Sequence, residues 1–245
     1  MKSFGAILGL ITAVAFSSIA LADHNVLSPY QAEYTLRAKG LNIGEATRRL
    51  TINDDKVKLE TRSESTGAIG LFLKFNQMER STLTIVDKKP TPDNYMMSRS
   101  KRGRKTIRKM HFDHNAGLLE IDIESNRKTV PLEKELYDQQ SYQLALRMDL
   151  QAGKTELTYP IYRKGQKVQY TFKIIGEETL DTVAGEFNTI RLSRKVKNRQ
   201  TEIWVAKDYN YILVKITKSK NDSQIADLEL TKFTYLDSQH KLKIK

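Results

Sequence analysis

The chain has 245 residues, with 41 Lys and Arg against 29 Asp and Glu, four His and no Cys, for a formal net charge of +12. The absence of Cys excludes disulfides and lipid attachment through an N-terminal cysteine, so the fold has to stand on its core. Beyond the first two dozen residues no segment stays apolar for the about 20 residues that a membrane-spanning helix needs.

The N-terminus reads as an export signal. Lys2 supplies a positive start, Phe4 to Ala22 carries no charge, and Ala20-Leu21-Ala22 precedes Asp23. A charged start, an apolar run and a small-x-small site in that order predict cleavage after Ala22. A retained membrane anchor is the competing reading, but Thr12, Ser17 and Ser18 interrupt the run. Cleavage leaves 245 − 22 = 223 residues and removes Lys2, so the mature charge is 12 − 1 = +11. That length suits a single β-rich domain over 23–245, since all-β domains run to about 200–250 residues. An exported chain without disulfides points to a bacterial periplasm rather than a eukaryotic secretory route. There a basic protein meets lipopolysaccharide, phospholipid head groups, acidic polysaccharide and cell wall. Nucleic acid, the usual partner of a high isoelectric point, is excluded by the compartment. General surface charge serving solubility is the competing reading.

Taken in chain order, the mature sequence alternates with period two. Ala32, Tyr34, Leu36 and Ala38 face one way, with Glu33 and Arg37 between them. Lys39-Gly40 is a turn, a second strand runs from Leu41 to Ile52, and Asn53 to Lys56 is a turn cluster. Val57, Leu59 and Thr61 then alternate with Lys58, Glu60 and Arg62. These are half-buried antiparallel strands joined by short loops. Thr66 to Phe75 breaks the pattern. Ile69, Leu71, Phe72 and Phe75, with Gly67 and Gly70, are read as an apolar flap at the mouth of a cavity, and the alternative is a short core-packed helix or buried crossover.

Strands resume from Met78 to Val86, and Pro90 and Pro92 mark a loop. A strand over Lys105–Phe112 meets the turn His114-Asn115-Ala116-Gly117, and Leu119, Ile121 and Ile123 alternate with acids to complete a hairpin. From Tyr137 to Leu150 the period becomes helical. Tyr142, Leu146 and Leu150 share a face that Leu144 and Met148 widen, with Asp138 as N-cap and Gly153 as stop. Val168, Tyr170, Phe172 and Ile174 return to alternation. Strands around Phe187–Leu192, Thr201–Ala206, Tyr211–Thr217 and Ile225–Leu236 follow. Eleven or twelve strands and one clear helix predict a mainly β fold. Its curved antiparallel sheet closes into a barrel or half-barrel, with the helix packed against the concave side.

At this point the chain resembles the exported bacterial proteins grouped as domain of unknown function 3108. The matching pieces begin with Ala32-Glu33-Tyr34, then Gly40 and Gly44, and Asp138-Gln139-Gln140-Ser141 opening the helix. Gly176 and the turn Asp181-Thr182-Val183-Ala184-Gly185-Glu186-Phe187 follow. Trp204-Val205-Ala206-Lys207-Asp208 with Tyr211–Ile216 is the most specific piece, and Leu213 stands where the family often has proline. The resemblance implies an envelope β protein and brings no activity.

Candidate chemistry is sparse. His111-Phe112-Asp113-His114 presents His111 and Asp113 on one strand face and His114 in the turn, short of the three or four ligands a zinc site takes. No nucleophile elbow is present. Carboxylates that pair in space for glycoside hydrolysis would come from residues such as Glu33, Glu45, Glu60 and Asp208. Asp208, close to Trp204, reads as a turn residue of Lys207-Asp208-Tyr209-Asn210, or else as a ligand contact beside an aromatic platform. No catalytic residue, metal site or cofactor is assigned. The strongest local signal is the basic stretch Arg99, Lys101, Arg102, Arg104, Lys105, Arg108 and Lys109, which has no acid between Ser98 and Met110. It is read as an anion-binding loop and strand whose start projects beyond the sheet, against a mere solvated face. The expected function is an envelope binding or carrier module for a lipid-like or anionic ligand. The alternatives are an interaction protein with a basic surface and no cavity, or a hydrolase.

Overall fold

The computed structural model describes residues 26–236 and the short strand 242–243. The expected signal peptide over 1–22, with His24 and His240, lies outside the described residues. Two short strands, β1 (Val26–Leu27) and β16 (Leu242–Lys243), pair with each other. In chain order between them come β2 (Tyr30–Ala38), β3 (Leu41–Asn53), β4 (Lys56–Glu64), α1 (Gly67–Leu73), β5 (Phe75–Val86), β6 (Lys89–Lys101), β7 (Arg104–Asp113), β8 (Leu118–Ile123) and β9 (Asn126–Pro131). Then follow α2 (Ser141–Gln151), β10 (Leu157–Arg163), β11 (Gln166–Thr182), β12 (Gly185–Val196), β13 (Arg199–Ala206), β14 (Ile212–Lys220) and β15 (Ser223–Tyr235). A single 14-stranded sheet in the order β10-β11-β12-β13-β14-β15-β2-β3-β4-β5-β6-β7-β8-β9 holds all but the short pair. Among the described residues no helix is long and apolar enough to cross a membrane.

The alternation seen in the sequence becomes an inner and an outer face. Tyr30, Ala32 and Tyr34 of β2, Leu50 and Ile52 of β3, Leu59 of β4 and Leu83 of β5 are buried, and Leu144 and Met148 of α2 pack on them. The opposite flank of α2, with Ala145, Leu146 and Leu150, packs against Ile161, Phe172, Leu192, Ile203 and Val205 from β10 to β13. The helix therefore fills the concavity between two halves of one sheet, and burying each large apolar side chain there contributes about 1.5–3 kcal/mol. Curvature is strong enough that Tyr162 of β10 packs with Tyr95, Met97, Met110 and Phe112 of β6 and β7.

The hydrogen-bonded ladder does not close into a barrel, because the edge strands β9 and β10 are not paired with each other. The segment after β9 links them. Tyr137 N donates to Pro160 O at 3.0 Å and Tyr137 O accepts from Tyr162 N at 2.8 Å.

Three sequence expectations are corrected. Pro90 and Pro92 lie inside β6, opposite Ile85 and Leu83 of β5, rather than in a loop. They are tolerated because β6 pairs with β7 only from Asn94 onward, so that stretch of strand has a ladder on one side alone. The sequence reading places no strand over β6, β9 or β10, and the large sheet has 14 strands rather than eleven or twelve. The Thr66–Phe75 stretch contains a second, seven-residue helix, α1.

Helix α2 starts where Asp138 caps it. Asp138 Oδ1 accepts from Gln140 N (2.7 Å) and Ser141 N (3.0 Å), while Ser141 Oγ accepts from Asp138 N (2.9 Å). This is a reciprocal capping box with Ser in the return position. The helix stops as expected at Gly153 (φ 72°), with Gly153 N bonded to Leu150 O and Lys154 N to Asp149 O, the paired bonds of a Schellman motif.

Gly44 explains itself by contact. A Cβ there would lie 2.1 Å from Glu64 O, whereas one on Gly176 would meet nothing within 4 Å. Gly44→Ala is expected to lower stability by about 1–3 kcal/mol or more through forced backbone displacement. Gly176→Ala should be close to neutral. Parallel urea unfolding of the two variants checks the contrast.

Candidate functional site

Between α2 and the inner face of β10–β14 lies a cavity of about 300 Å³. Leu146 from the helix and Phe172, Ile203, Val205, Leu213 and Ile216 from the sheet form its apolar wall. Tyr142 lies edge-on to Tyr170 (centroids 5.4 Å apart) and parallel to Phe172 (6.4 Å), so the helix side of the wall is aromatic.

The polar lining is strongly one-signed. Arg48, Arg147, Arg163, Arg194 and Lys218 line the cavity, and Glu79 is the one carboxylate among the described lining residues. Arg194 stacks on the Tyr170 ring at 3.8 Å from its centroid, and Arg163 lies 5.8 Å from the same centroid and bonds the Tyr170 hydroxyl. Lys218 keeps solvent access, yet enclosure by the concave wall, then the Arg163 and Arg194 charges, push its pKa below the usual 10.5. On the other flank Arg147 donates to Asn210 O (3.1 Å) and sits over the Tyr30 ring, while Arg48 donates to Gln143 Oε1 and leaves its buried Nε without a partner. None of these five cations forms an ion pair among the described residues. The ion pairs present lie elsewhere, as in Arg37 with Asp227 and Glu229, Arg191 with Glu202, and Glu60 with Arg62 and Arg80.

Glu79 is held by neutral donors. Gln77 Nε2 (2.5 Å) reaches Oε1, and the Tyr95 hydroxyl (3.1 Å), Gln140 Nε2 (3.1 Å) and Gln139 Nε2 (3.4 Å) reach Oε2. Next to this group the fully buried Asp138 accepts from Ser81 Oγ at 2.7 Å. Burial pushes the Asp138 carboxyl up, and the donors from Ser81, Ser141 and Gln140 oppose that shift. The helix N-cap and the cavity thus share one polar cluster.

The residues singled out in the sequence fall elsewhere. Lys101, Arg102, Arg104 and Lys105 are exposed at the tip of the β6–β7 hairpin, and Lys109 is exposed farther along β7. Arg99 and Arg108 are half-buried, and the Arg108 Nε is buried without a partner. Thr106, Met110 and Phe112 are buried on the inner face, so Arg104 and Arg108 share that face. In α1, Leu71 and Phe72 are 74% and 79% exposed and Ile69 is half-buried; Phe75, the first residue of β5, is half-buried too, and none of the four lines the cavity. His111 Nδ1 meets Asn94 Oδ1, His114 Nε2 meets Pro92 O, and Asp113 Oδ1 accepts from the backbone N of Asn115 and Ala116. Glu33, Glu45, Glu60 and Asp208 all lie outside the cavity. Trp204 is buried on the face opposite Ile203 and Val205. It donates to Glu178 Oε1 (2.7 Å), with the guanidinium of Arg191 at 5.1 Å from its ring.

Sequence reasoning missed the cavity cations. The signal was a cation continuing a buried stripe: Arg48 between Ala46 and Leu50, Arg194 after Leu192, and Lys218 after Ile216.

The chain matches the family described as a protein of unknown function, DUF3108, over residues 30–231. It belongs to that family. No curated protein matches it. Among solved structures, a beta-barrel-like protein of domain of unknown function DUF1849 from Brucella abortus superposes with a TM-score of 0.55 at 12% identity, covering 86% of this chain and 99% of that one. This DUF3108 chain therefore shares that fold. A protein assigned as a lipoprotein from Parabacteroides distasonis gives a TM-score of 0.36 at 9% identity over 85% of this chain and 96% of that one. A protein assigned as exported, with a YmcC-like fold, from Bacteroides fragilis gives 0.34 at 10% over 85% and 96%.

Asp138→Ala removes the cap acceptor and strands the Ser81 hydroxyl. The expected cost is about 2–4 kcal/mol, the sum of a lost cap and a buried unsatisfied donor. Asp138→Asn, which keeps an acceptor oxygen, should lose less. Denaturant midpoints of the two variants, at an unchanged slope, check the order.

Proposed function

We propose that this protein is an exported envelope carrier or binding module whose cavity holds an amphipathic anion, an apolar chain with a carboxylate or phosphate head. The observation that carries the reading is the pairing of an apolar, aromatic wall with five cations that lack ion-pair partners among the described residues. Like charges gathered at a half-enclosed site repel, and an anionic head relieves that repulsion while its chain covers the wall. Arg163 and Arg194 supply fork-shaped donors that match carboxylate or phosphate, and Lys218 adds a point charge. The volume lies at the low end of the about 300–1,000 Å³ typical of small-molecule sites, which suits a single-chain amphiphile. A hydrolase is less well supported, because the described lining offers one carboxylate and no Ser, His or Cys for acid–base or nucleophilic work. Export to the periplasm rests on the Lys2 to Asp23 sequence.

Fluorescence titration with a long-chain fatty acid and with an alkyl phosphate tests the reading, alongside mass spectrometry of organic extracts from protein purified from envelopes. Arg194→Glu combined with Lys218→Glu is expected to weaken binding at least about tenfold, or about 1.4 kcal/mol. Equal binding by wild type and double variant, with no lipid in the extracts, would overturn it.

Acidity supplies a second check. Lys218 in the free protein loses its proton below 10.5, and a bound anion favours keeping it. Affinity should therefore fall as pH rises through the lowered pKa, while Lys218→Arg, charged throughout, holds its affinity over that range. A pH series of titrations on both proteins reads the difference.

A further inference from the structure

In an antiparallel meander, alternate connections fall at the same end of the sheet. Lys39-Gly40, α1, Arg102-Gly103, Glu124-Ser125, Lys164-Gly165, Lys197-Asn198 and Asn221-Asp222 therefore share one rim. Hydrogen bonds run round it: Asn221 N to Asn198 O, Lys39 N to Ile225 O, Thr66 N to Ile43 O and Arg102 N to Lys74 O. Lys128 Nζ to Gly165 O, at 2.7 Å, closes the ring across the gap that the ladder leaves open.

This rim is basic by construction. Lys39, Arg102, Lys164 and Lys197 all take left-handed backbone angles, φ 49°, 51°, 49° and 53°. Hairpin turns favour Asn, Asp or Gly at such positions. The opposite rim is mixed, with Asp54 at φ 54°, Asp87 at φ 49° and Lys88 at φ 59°. The first rim also holds Glu124 (φ 53°), Asn221 (φ 50°) and Asp222 (φ 60°) at such angles, so its positive excess rests on those four cations together with the exposed Lys74, Lys101, Arg104 and Lys105. Long cations stand on the first rim against local preference, and none of the four is ion-paired among the described residues. Three of the five cavity cations lie at the same end: Arg163 adjoins Lys164-Gly165, Arg194 precedes Lys197-Asn198, and Lys218 precedes Asn221-Asp222, whereas Arg147 bonds to Asn210 on the opposite rim.

Helix α1 adds an apolar element to this ring. Leu71 and Phe72 project with 74% and 79% of their surface exposed, beside the Arg102 turn that bonds to Lys74. A bulky apolar pair encircled by cations matches the boundary between anionic head groups and acyl chains. We infer that this rim docks on the surface of an anionic phospholipid bilayer, with Leu71 and Phe72 entering the head-group boundary and the turn cations over the phosphates. The inference deepens the carrier reading, since it sets the charged end of the cavity against the membrane.

Flotation of the mature protein with phosphatidylglycerol-containing and with purely zwitterionic vesicles tests it. Binding is expected to the anionic vesicles alone, and to drop at least about tenfold as salt rises from about 0.05 M to about 0.5 M. Leu71→Ser with Phe72→Ser, and separately Arg102→Glu with Lys105→Glu, should each lower vesicle binding about tenfold or more while thermal midpoints hold, because these side chains are exposed. Val183→Ser with Lys88→Glu, on the opposite rim, should leave binding unchanged. No binding to anionic vesicles at low salt, or equal loss from both rims, overturns the inference. Capture of an acidic protein without any vesicle binding does so as well. Fatty-acid titration of the same variants in solution separates the two readings, since docking variants should keep cavity affinity and cavity variants should keep docking.

Discussion

Two backbone hydrogen bonds at Tyr137 hold the architecture together. A sheet of this width has two edges, and each edge exposes unpaired donors and acceptors that invite pairing with other chains. Here the edge strands β9 and β10 are brought near each other by curvature but not paired, and the segment carrying Tyr137, which follows β9 in the chain, covers the edge of β10 by bonding to Pro160 and Tyr162. The next residue is Asp138, which turns the chain inward and caps α2. One short stretch thus seals the edge and launches the helix that fills the concavity. Gln139 and Gln140, between those two tasks, reach Glu79 and build the polar side of the cavity.

Strand alternation also partitions charge. Asp227 and Glu229 with Arg37 and Lys215, Glu202 with Arg191, and Glu60 with Arg62 and Arg80 are matched on the sheet away from the cavity. Their acids are mostly buried and their cations partly wet, so each pair contributes modest stability. Their effect is on distribution, because acids placed there leave the inward-facing Arg48, Arg163, Arg194 and Lys218 without ion-pair partners among the described residues. The excess of cations over acids in this basic chain is in this way concentrated at an internal site.

Much of this was legible along the chain. Period-two stretches such as Ala32–Ala38 and Val57–Arg62 are strands because one face is buried and the other wet, and the pattern survives any detail of curvature. Helix α2 was legible from its stripe, Asp138 and Gly153. The strand over Asn126–Pro131 was not, because it lies at an edge with hardly a buried side chain and so has no alternation to show. Pro90 and Pro92 hid β6, since a proline stretch with a neighbour on one side only looks like a loop from sequence. The basic run around Arg102 was conspicuous because its charges are contiguous. The cavity cations were not, because they come from strands far apart in sequence, and only curvature and the helix bring them to one place.

The strand order carries a consequence for how the chain reaches this state. Every ladder in the large sheet joins consecutive strands except one, β15 with β2, where Tyr30 lies opposite Tyr235 and Arg37 opposite Asp227. Hairpins close small loops and form quickly, whereas this pair must find its register across nearly the whole chain. Two meanders, β2–β9 and β10–β15, can each grow locally before that pairing locks them together. The seam they share is reinforced by the Tyr34 hydroxyl on Leu213 O and by the bonds from Arg37 to Asp227 and Glu229. In chain order the first and last strands of the large sheet, β2 and β15, are thus side by side, and contact-order reasoning makes their pairing the expected slow step of folding.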